Sequence, residues 1–353
     1  GWAQTMTSRW AREPLGPSLE RWRRRRPVVY LRASLDRLEH AEPFARLKAD
    51  GVRMLALCHD IIPVDFPEFV RPQAAAQCKA RLDTLARFAD GCIVSSHYSA
   101  DRLERLLGRR LPETRVAHIG MDPPAPEAPE GLPDLVDRPY FLVISTIEAR
   151  KNHTLLLQLW RRLVEHLGDR APRLVIAGKR GWEAASTHSM LDRCDDLSRH
   201  VYEAGPVPDG ALDLLRRRAR AVLMPSFVEG FGLPVTEALS VNTPVVASDI
   251  PVFRETAGDA AEFVDPLDGP GWERAILDLS DDASPRLAAA RARARAFNPV
   301  TWPDYFGTVR DFVEELAEAD AAVHVRPLPG PTAPSFPWPA ALLPASLRAT
   351  YRL

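Results

Sequence analysis

Residues 221–255, AVLMPSFVEGFGLPVTEALSVNTPVVASDIPVFRE, constrain the fold more than any other stretch of the chain. Ala221 to Met224 is an apolar run of strand length, and Pro225 and Ser226 end it. The loop Glu229-Gly230-Phe231-Gly232-Leu233 follows, and its glycines admit positive φ and a close approach of backbone to a ligand. Proline suits a first helical position, so Pro234 opens a predicted short helix to Val241, which Asn242 is placed to end in the left-handed conformation. Pro244 to Ala247 forms the next strand and delivers Ser248 and Asp249 to the same sheet edge. Strand, loop, helix and strand in this order predict an α/β chain with a parallel sheet.

The same stretch has a chemical reading. Glycines feeding a helix N-terminus offer free N–H groups and a positive dipole end, which suits a phosphate. Glu229 and Glu237 would repel a phosphate, so they are better understood as acceptors for hydroxyl groups beside it. A ligand carrying both phosphates and sugars satisfies every one of these groups, and a nucleotide sugar is such a ligand. The alternative, a dinucleotide-binding turn with Asp249 on the ribose, needs a third glycine where Val235 stands and a longer crossover helix.

At 353 residues the chain is long enough for two domains, and its net charge of −1 favours no nucleic-acid partner. Cys58, Cys78, Cys92 and Cys194 are scattered without a CxxC pair, which points to a reducing compartment and no zinc site. No uncharged apolar run reaches bilayer length and no signal peptide is seen, so a cytoplasmic location is expected. Trp2, Trp10 and Trp22 among the arginines of residues 1–26 would allow peripheral contact with an anionic membrane face, or form a solvated end.

Along the chain, Val28 to Leu31 reads as a strand and Leu35 to Ala49 as a helix or a loop plus helix. Val52 to Cys58 reads as a buried parallel strand that ends at His59 and Asp60. Ligands gather beyond the carboxyl ends of parallel strands, so these two are candidate functional residues. Helix spacing covers Gln73 to Ala89, Cys92 to Val94 is the next strand, and Ser99 is placed to cap the helix after it. His97 reads as structural. Residues 1–122 thus form a first domain, and no glycine-rich loop is seen before Val28, which leaves open either an incomplete start or an unusual acceptor side. Residues 123–139 form a proline-rich connector, 140–325 a second domain, and 326–353 a proline-rich tail that is either a flexible extension or a segment returning to the first domain.

In the second domain, Asn152 is expected to cap the amphipathic helix that follows it. Arg150 and Lys151 then stand just ahead of a helix N-terminus, a poor place for cations unless an anion is held there. A diphosphate would account for both. The Arg-rich helix of residues 284–296 reads as a solvated face.

The string EGFGLPVTEA resembles the E-x7-E signature of retaining glycosyltransferases of family 4, which have the GT-B fold. HDIIPVDFPE resembles the first domain of mannosyltransferases in that family, and EARKNH its basic segment. The resemblance covers most of residues 50–320 and implies two Rossmann-like domains facing each other across a cleft. It implies that Glu229 contacts the donor hexose, Glu237 the ribose, and Gly230, Phe231, Gly232 and Leu233 the diphosphate through their amides. Lys151 would contact phosphate, with Arg150 as a substitute for a second cation that some members carry near Thr146. The nucleobase would lie against backbone near Val207, and His59 with Asp60 would border the acceptor. The implied reaction is transfer of a hexose, GDP-mannose being the favoured donor ahead of dTDP-rhamnose or a UDP-hexose, to a glycan or lipid-linked acceptor with retention. Families of this fold need no bound metal or other cofactor, and no DxD-type pair stands at a strand end here. A nucleotide-sugar epimerase of the same fold and a catalytically inert nucleotide-sugar binder are the rival readings.

Overall fold

The computed structural model describes residues 27–121 and 139–319. The Arg- and Trp-rich start, nearly all of the proline-rich connector and the tail lie outside the described residues, and so do the expectations placed on them.

Four parallel strands form the first sheet in sequence order: β1 (Val29–Arg32), β2 (Arg53–Cys58), β3 (Gly91–Val94) and β4 (Glu113–Val116). Of the two expectations for Leu35 to Ala49, the loop plus helix is found: residues 36–39 form turns with Leu38 buried at the core, and the helix runs Glu42–Ala49. Strand β2 shows why both faces of a parallel sheet must be apolar. Met54, Ala56 and Cys58 enter one hydrophobic cluster, and Leu55 and Leu57 face the other way.

The second sheet has six parallel strands: β5 (Tyr140–Ile144), β6 (Arg173–Ala177), β7 (Val201–Gly205), β8 (Ala221–Met224), β9 (Val245–Ser248) and β10 (Glu262–Val264). Their spatial order is β10-β9-β8-β5-β6-β7. This is the doubly wound order in which the chain reverses direction across the sheet between β5 and β8, and ligands bind outside the carboxyl ends of the strands at that reversal. Alternation along β5 builds two cores, with Phe141 and Val143 on one face and Tyr140, Leu142 and Ile144 on the other. The helix His153–Leu167 covers the first of these faces. Its fully buried Trp160 meets the Phe141 ring edge-on at 5.9 Å and donates an indole hydrogen bond to Pro172 O.

The last described helix, Trp302–Glu318, is a correction to the expected boundary. Sequence order would leave it with the second sheet, but Phe312 and Leu316 pack with Leu55 and Ile93 on the first. Gly91 makes this possible, since a Cβ there would stand 2.8 Å from both the Phe312 ring and the Leu316 side chain. The Arg53 guanidinium closes the contact by donating to the carbonyls of Leu316 and Ala319, which the helix end leaves without helical partners.

Candidate active site

Two loops leave the carboxyl ends of β5 and β8, the strands that flank the reversal. The first is Ser145 to Asn152, where Ala149–Lys151 makes a single 3₁₀ turn. The second is Pro225 to Gly232, which leads into the helix Leu233–Ser240. They are stitched together by main chain, since Phe227 N–H donates to Arg150 O at 2.8 Å.

Four charged groups close on one another here. Lys151 Nζ donates to Glu229 Oε1 at 2.5 Å, and Arg150 donates to Glu229 Oε2 at 2.7 Å. Arg150 also reaches Glu148 Oε1 at 2.7 Å and Val228 O at 3.2 Å, and Ser226 Oγ donates to Glu229 Oε1 at 2.7 Å. Glu148, Lys151 and Glu229 are all buried. Burial pushes the Glu229 carboxyl up, but the Lys151 and Arg150 charges and the bonds from Lys151 and Ser226 prevail and hold it below the ordinary range. Burial likewise works against the Arg150 charge, which Glu229 and Glu148 more than restore. The result is a pair of cations facing a pair of carboxylates in a place shielded from water. An anion arriving there meets charges already desolvated and oriented.

Asn152 departs from the expected capping role. It sits in the left-handed conformation, φ 55°, and its side-chain amide donates to Pro266 O at 3.1 Å instead of accepting from the helix. His153 beside it is buried, hydrogen-bonds Ser145 Oγ at 3.2 Å, and is pushed down to about 4 by burial and then by the Lys151 charge. It is neutral at physiological pH and adds no third cation. Asn242 ends the short helix in the left-handed conformation at φ 62°, as its residue type implies.

The glycine loop also meets the first sheet. A Cβ on Gly230 would stand 2.8 Å from Asp60 Cβ and 3.0 Å from His59 O, so only glycine allows this approach. Ser96 Oγ and Ser99 Oγ donate to Gly230 O at 2.9 and 3.2 Å. The helix that follows β3 is capped by Ser96, which accepts from Ser99 N–H at 3.1 Å, and not by Ser99 as expected. Gly232 takes φ 89°, and a Cβ there would strike the Phe253 ring at 2.4 Å. Phe231 is buried, with its ring 6.0 Å from that of His118, while Leu233 is partly exposed. Gly230→Ala should therefore push the loop off Asp60 and destabilise the fold by about 1–3 kcal/mol in a denaturant titration. An unchanged midpoint would count against the contact.

Asp60 accepts from Ile62 N–H at 3.1 Å, and burial raises its carboxyl above the ordinary aspartate range although that hydrogen bond and the Arg150 charge oppose it. The His59 side chain is exposed, and its carbonyl accepts from Ser95 Oγ at 3.1 Å. Folding thus brings His59, Asp60, Arg150, Lys151, Glu229 and Gly230 to one place. Glu237 is paired with another residue: Arg216 of the helix Asp209–Arg218 donates to it at 2.9 Å. Val207 lies between the edge strand β7 and that same helix, half-buried against the second core. Asp249, the ribose ligand of the rival dinucleotide reading, is held by Arg254 at 2.7 Å.

Sequence reasoning missed Glu148, Ser226, Ser96, Ser99, His118 and Glu255. Glu148 stood two residues before a recognised cation and Ser226 three before a recognised carboxylate. The last two carry no local signal, because their partners come from the other sheet. Among the described residues, one group of three potential metal ligands lies close together, His97, His118 and Glu255, and it does not include Lys151, Arg150 or Glu229.

Residues 126–297 match the family described as glycosyl transferases group 1. The O-antigen chain mannosyltransferase B of Escherichia coli is 39% identical over 158 residues, covering 44% of this chain and 41% of that protein. The serotype-specific mannosyltransferase WbdA of Escherichia coli is 29% identical over 237 residues, 62% of this chain and 28% of the relative. The chain therefore spans less than half the length of either relative. Among solved structures, HepE of Anabaena in complex with UDP superposes with a TM-score of 0.60 at 17% identity, covering 82% of this chain and 78% of that one. That likeness, together with the two parallel sheets, gives the chain the GT-B fold. Among the described residues no helix is long and apolar enough to cross a membrane.

Proposed function

We infer, because residues 126–297 match the family of glycosyl transferases group 1, that the chain moves a hexose from a nucleotide diphosphate sugar to a glycan or lipid-linked acceptor. Mannose is the favoured hexose, because several similar proteins are named mannosyltransferases, and GDP-mannose is the favoured donor. The observation that carries the reading is the joining of Lys151 and Arg150 to Glu229 at the strand-order reversal, directly before a glycine loop and a helix N-terminus.

In the reaction the acceptor oxygen bonds to the anomeric carbon as the bond from that carbon to the diphosphate oxygen breaks. Retention follows if both occur on one face, with the acceptor proton passing to the leaving phosphate oxygen. Lys151, Arg150 and the amides of Gly230, Phe231, Gly232 and Leu233 stabilise the charge that grows on the diphosphate, and their fixed placement means little reorganisation is needed. Glu229 serves as acceptor for hexose hydroxyls once phosphate shares its cations. Glu237 would take the ribose by exchanging Arg216, and Val207 would lie at the base. His59 and Asp60 border the acceptor from the first sheet. No metal or other cofactor enters the scheme, and contact with a membrane would belong to the Arg- and Trp-rich start.

A thermal-shift panel of GDP-, UDP- and dTDP-sugars tests the reading. A ligand at about a hundred times its dissociation constant adds about 2.7 kcal/mol of stability. GDP-mannose should give the largest shift, and incubation with donor alone should leave the sugar's configuration unchanged. A panel in which no nucleotide sugar stabilises the chain would overturn the proposal, and donor isomerisation would favour an epimerase.

A further inference from the structure

The helix Pro251–Ala257 supports the glycine loop from below: Phe253 fills the space beside Gly232, and Thr256 Oγ1 donates to Phe231 O at 3.3 Å. The same helix reaches the first sheet through Glu255. Its Oε1 accepts from His97 N–H at 2.6 Å, its Oε2 accepts from Tyr98 N–H at 3.0 Å, and His118 Nε2 lies 2.8 Å from Oε1. His97 opens the helix after β3, and His118 follows β4. The two imidazoles stand edge to face with centres 6.1 Å apart. One ligand atom from each of His97, His118 and Glu255 lies within 4.8 Å of the other two.

We propose that His97, His118 and Glu255 form a binding site for a divalent transition ion of the zinc class, which ties the two sheets together beside the glycine loop. Two imidazole nitrogens and a carboxylate oxygen are a donor set that zinc takes readily, with a fourth position left for water. Bonds of 2.0–2.1 Å at tetrahedral angles put ligand atoms about 3.3 Å apart. The closing movement needed is small, and the exposed His97 ring can make it by rotating. The backbone amides of His97 and Tyr98 orient the carboxylate, the supporting role that outer contacts play at metal sites. The positive end of the helix dipole disfavours a bare cation at this position, but the ionised carboxylate stands between the amides and the ion. None of His97, His118 and Glu255 is among the residues given a role in sugar transfer, so the site does not depend on the proposed activity.

The test is a titration of the chelator-treated full chain with zinc chloride, read by competition with a chromophoric chelator, and with cobalt chloride, read by visible absorption. One equivalent should bind, the melting temperature should rise, and cobalt should give the intense bands of a tetrahedral site. His97→Ala removes an exposed ring but keeps the N–H that Glu255 uses, so it should fold and lose at least about 100-fold in zinc affinity, beyond what loss of an outer contact costs. His118→Ala should do the same. Absence of binding to the unmodified chain, or equal affinity in His97→Ala, would overturn the proposal.

Discussion

Replacing Lys151 with methionine should lower kcat by about 10²–10³-fold, the effect of removing one fixed donor that faces charge growing in a transition state. Methionine has a similar reach and fills the buried space with little strain. Glu229 keeps Arg150 at 2.7 Å and Ser226 at 2.7 Å, so the carboxylate does not become an isolated buried charge. The variant should therefore fold, and its loss should appear as slow release of nucleoside diphosphate at saturating donor. A kcat within about threefold of the unmodified chain would remove Lys151 from the leaving-group site, since even one weak charged hydrogen bond is worth more than that.

Glu229→Ala should have the largest effect on stability, about 3–5 kcal/mol, because it leaves a buried cation without its carboxylate. Arg150 retains Glu148 at 2.7 Å, so the unpaired charge falls on Lys151. A denaturant midpoint corresponding to a loss under about 1 kcal/mol would show that the cluster is more open to water than its burial implies. The pH dependence has a definite sign. The folded carboxyl of Glu229 lies below its ordinary value of 4.5, so its contribution is fully present above that value and is lost as the pH falls through the lowered folded value. The unmodified chain should lose stability in acid more steeply than Glu229→Gln, which cannot titrate there.

Local pattern was enough for the elements that build the site. Buried parallel strands are continuous apolar runs, so β2, β5, β8 and β9 could be read from residue type alone. Glycines before Pro234 and the cations before His153 identified the two loops, because each is costly unless its special use is real. The capping roles were read less well. Asn152 has a capping side chain at the right place, but it found a partner from a distant segment, Pro266 O, while Ser99 lost the cap to Ser96 and turned its hydroxyl to Gly230 O. A cap is a competition among acceptors and donors, and a single sequence shows only the local competitors.

What the sequence alone determined is the make-up of two loops: glycines at a helix start beside Glu229 and Glu237, and two cations, Arg150 and Lys151, ahead of another helix. Tertiary structure decided which of them meet. It joined Glu229 to Lys151, 78 positions away, and left Glu237 on Arg216. It brought Gly230 against Asp60, set the helix Trp302–Glu318 on the first sheet, and gathered His97, His118 and Glu255. The reason is that hydrophobic periodicity and propensity act over a few residues, whereas the order of strands in a sheet, and hence the place where two loop ends converge, is fixed only when the separate apolar faces find one another.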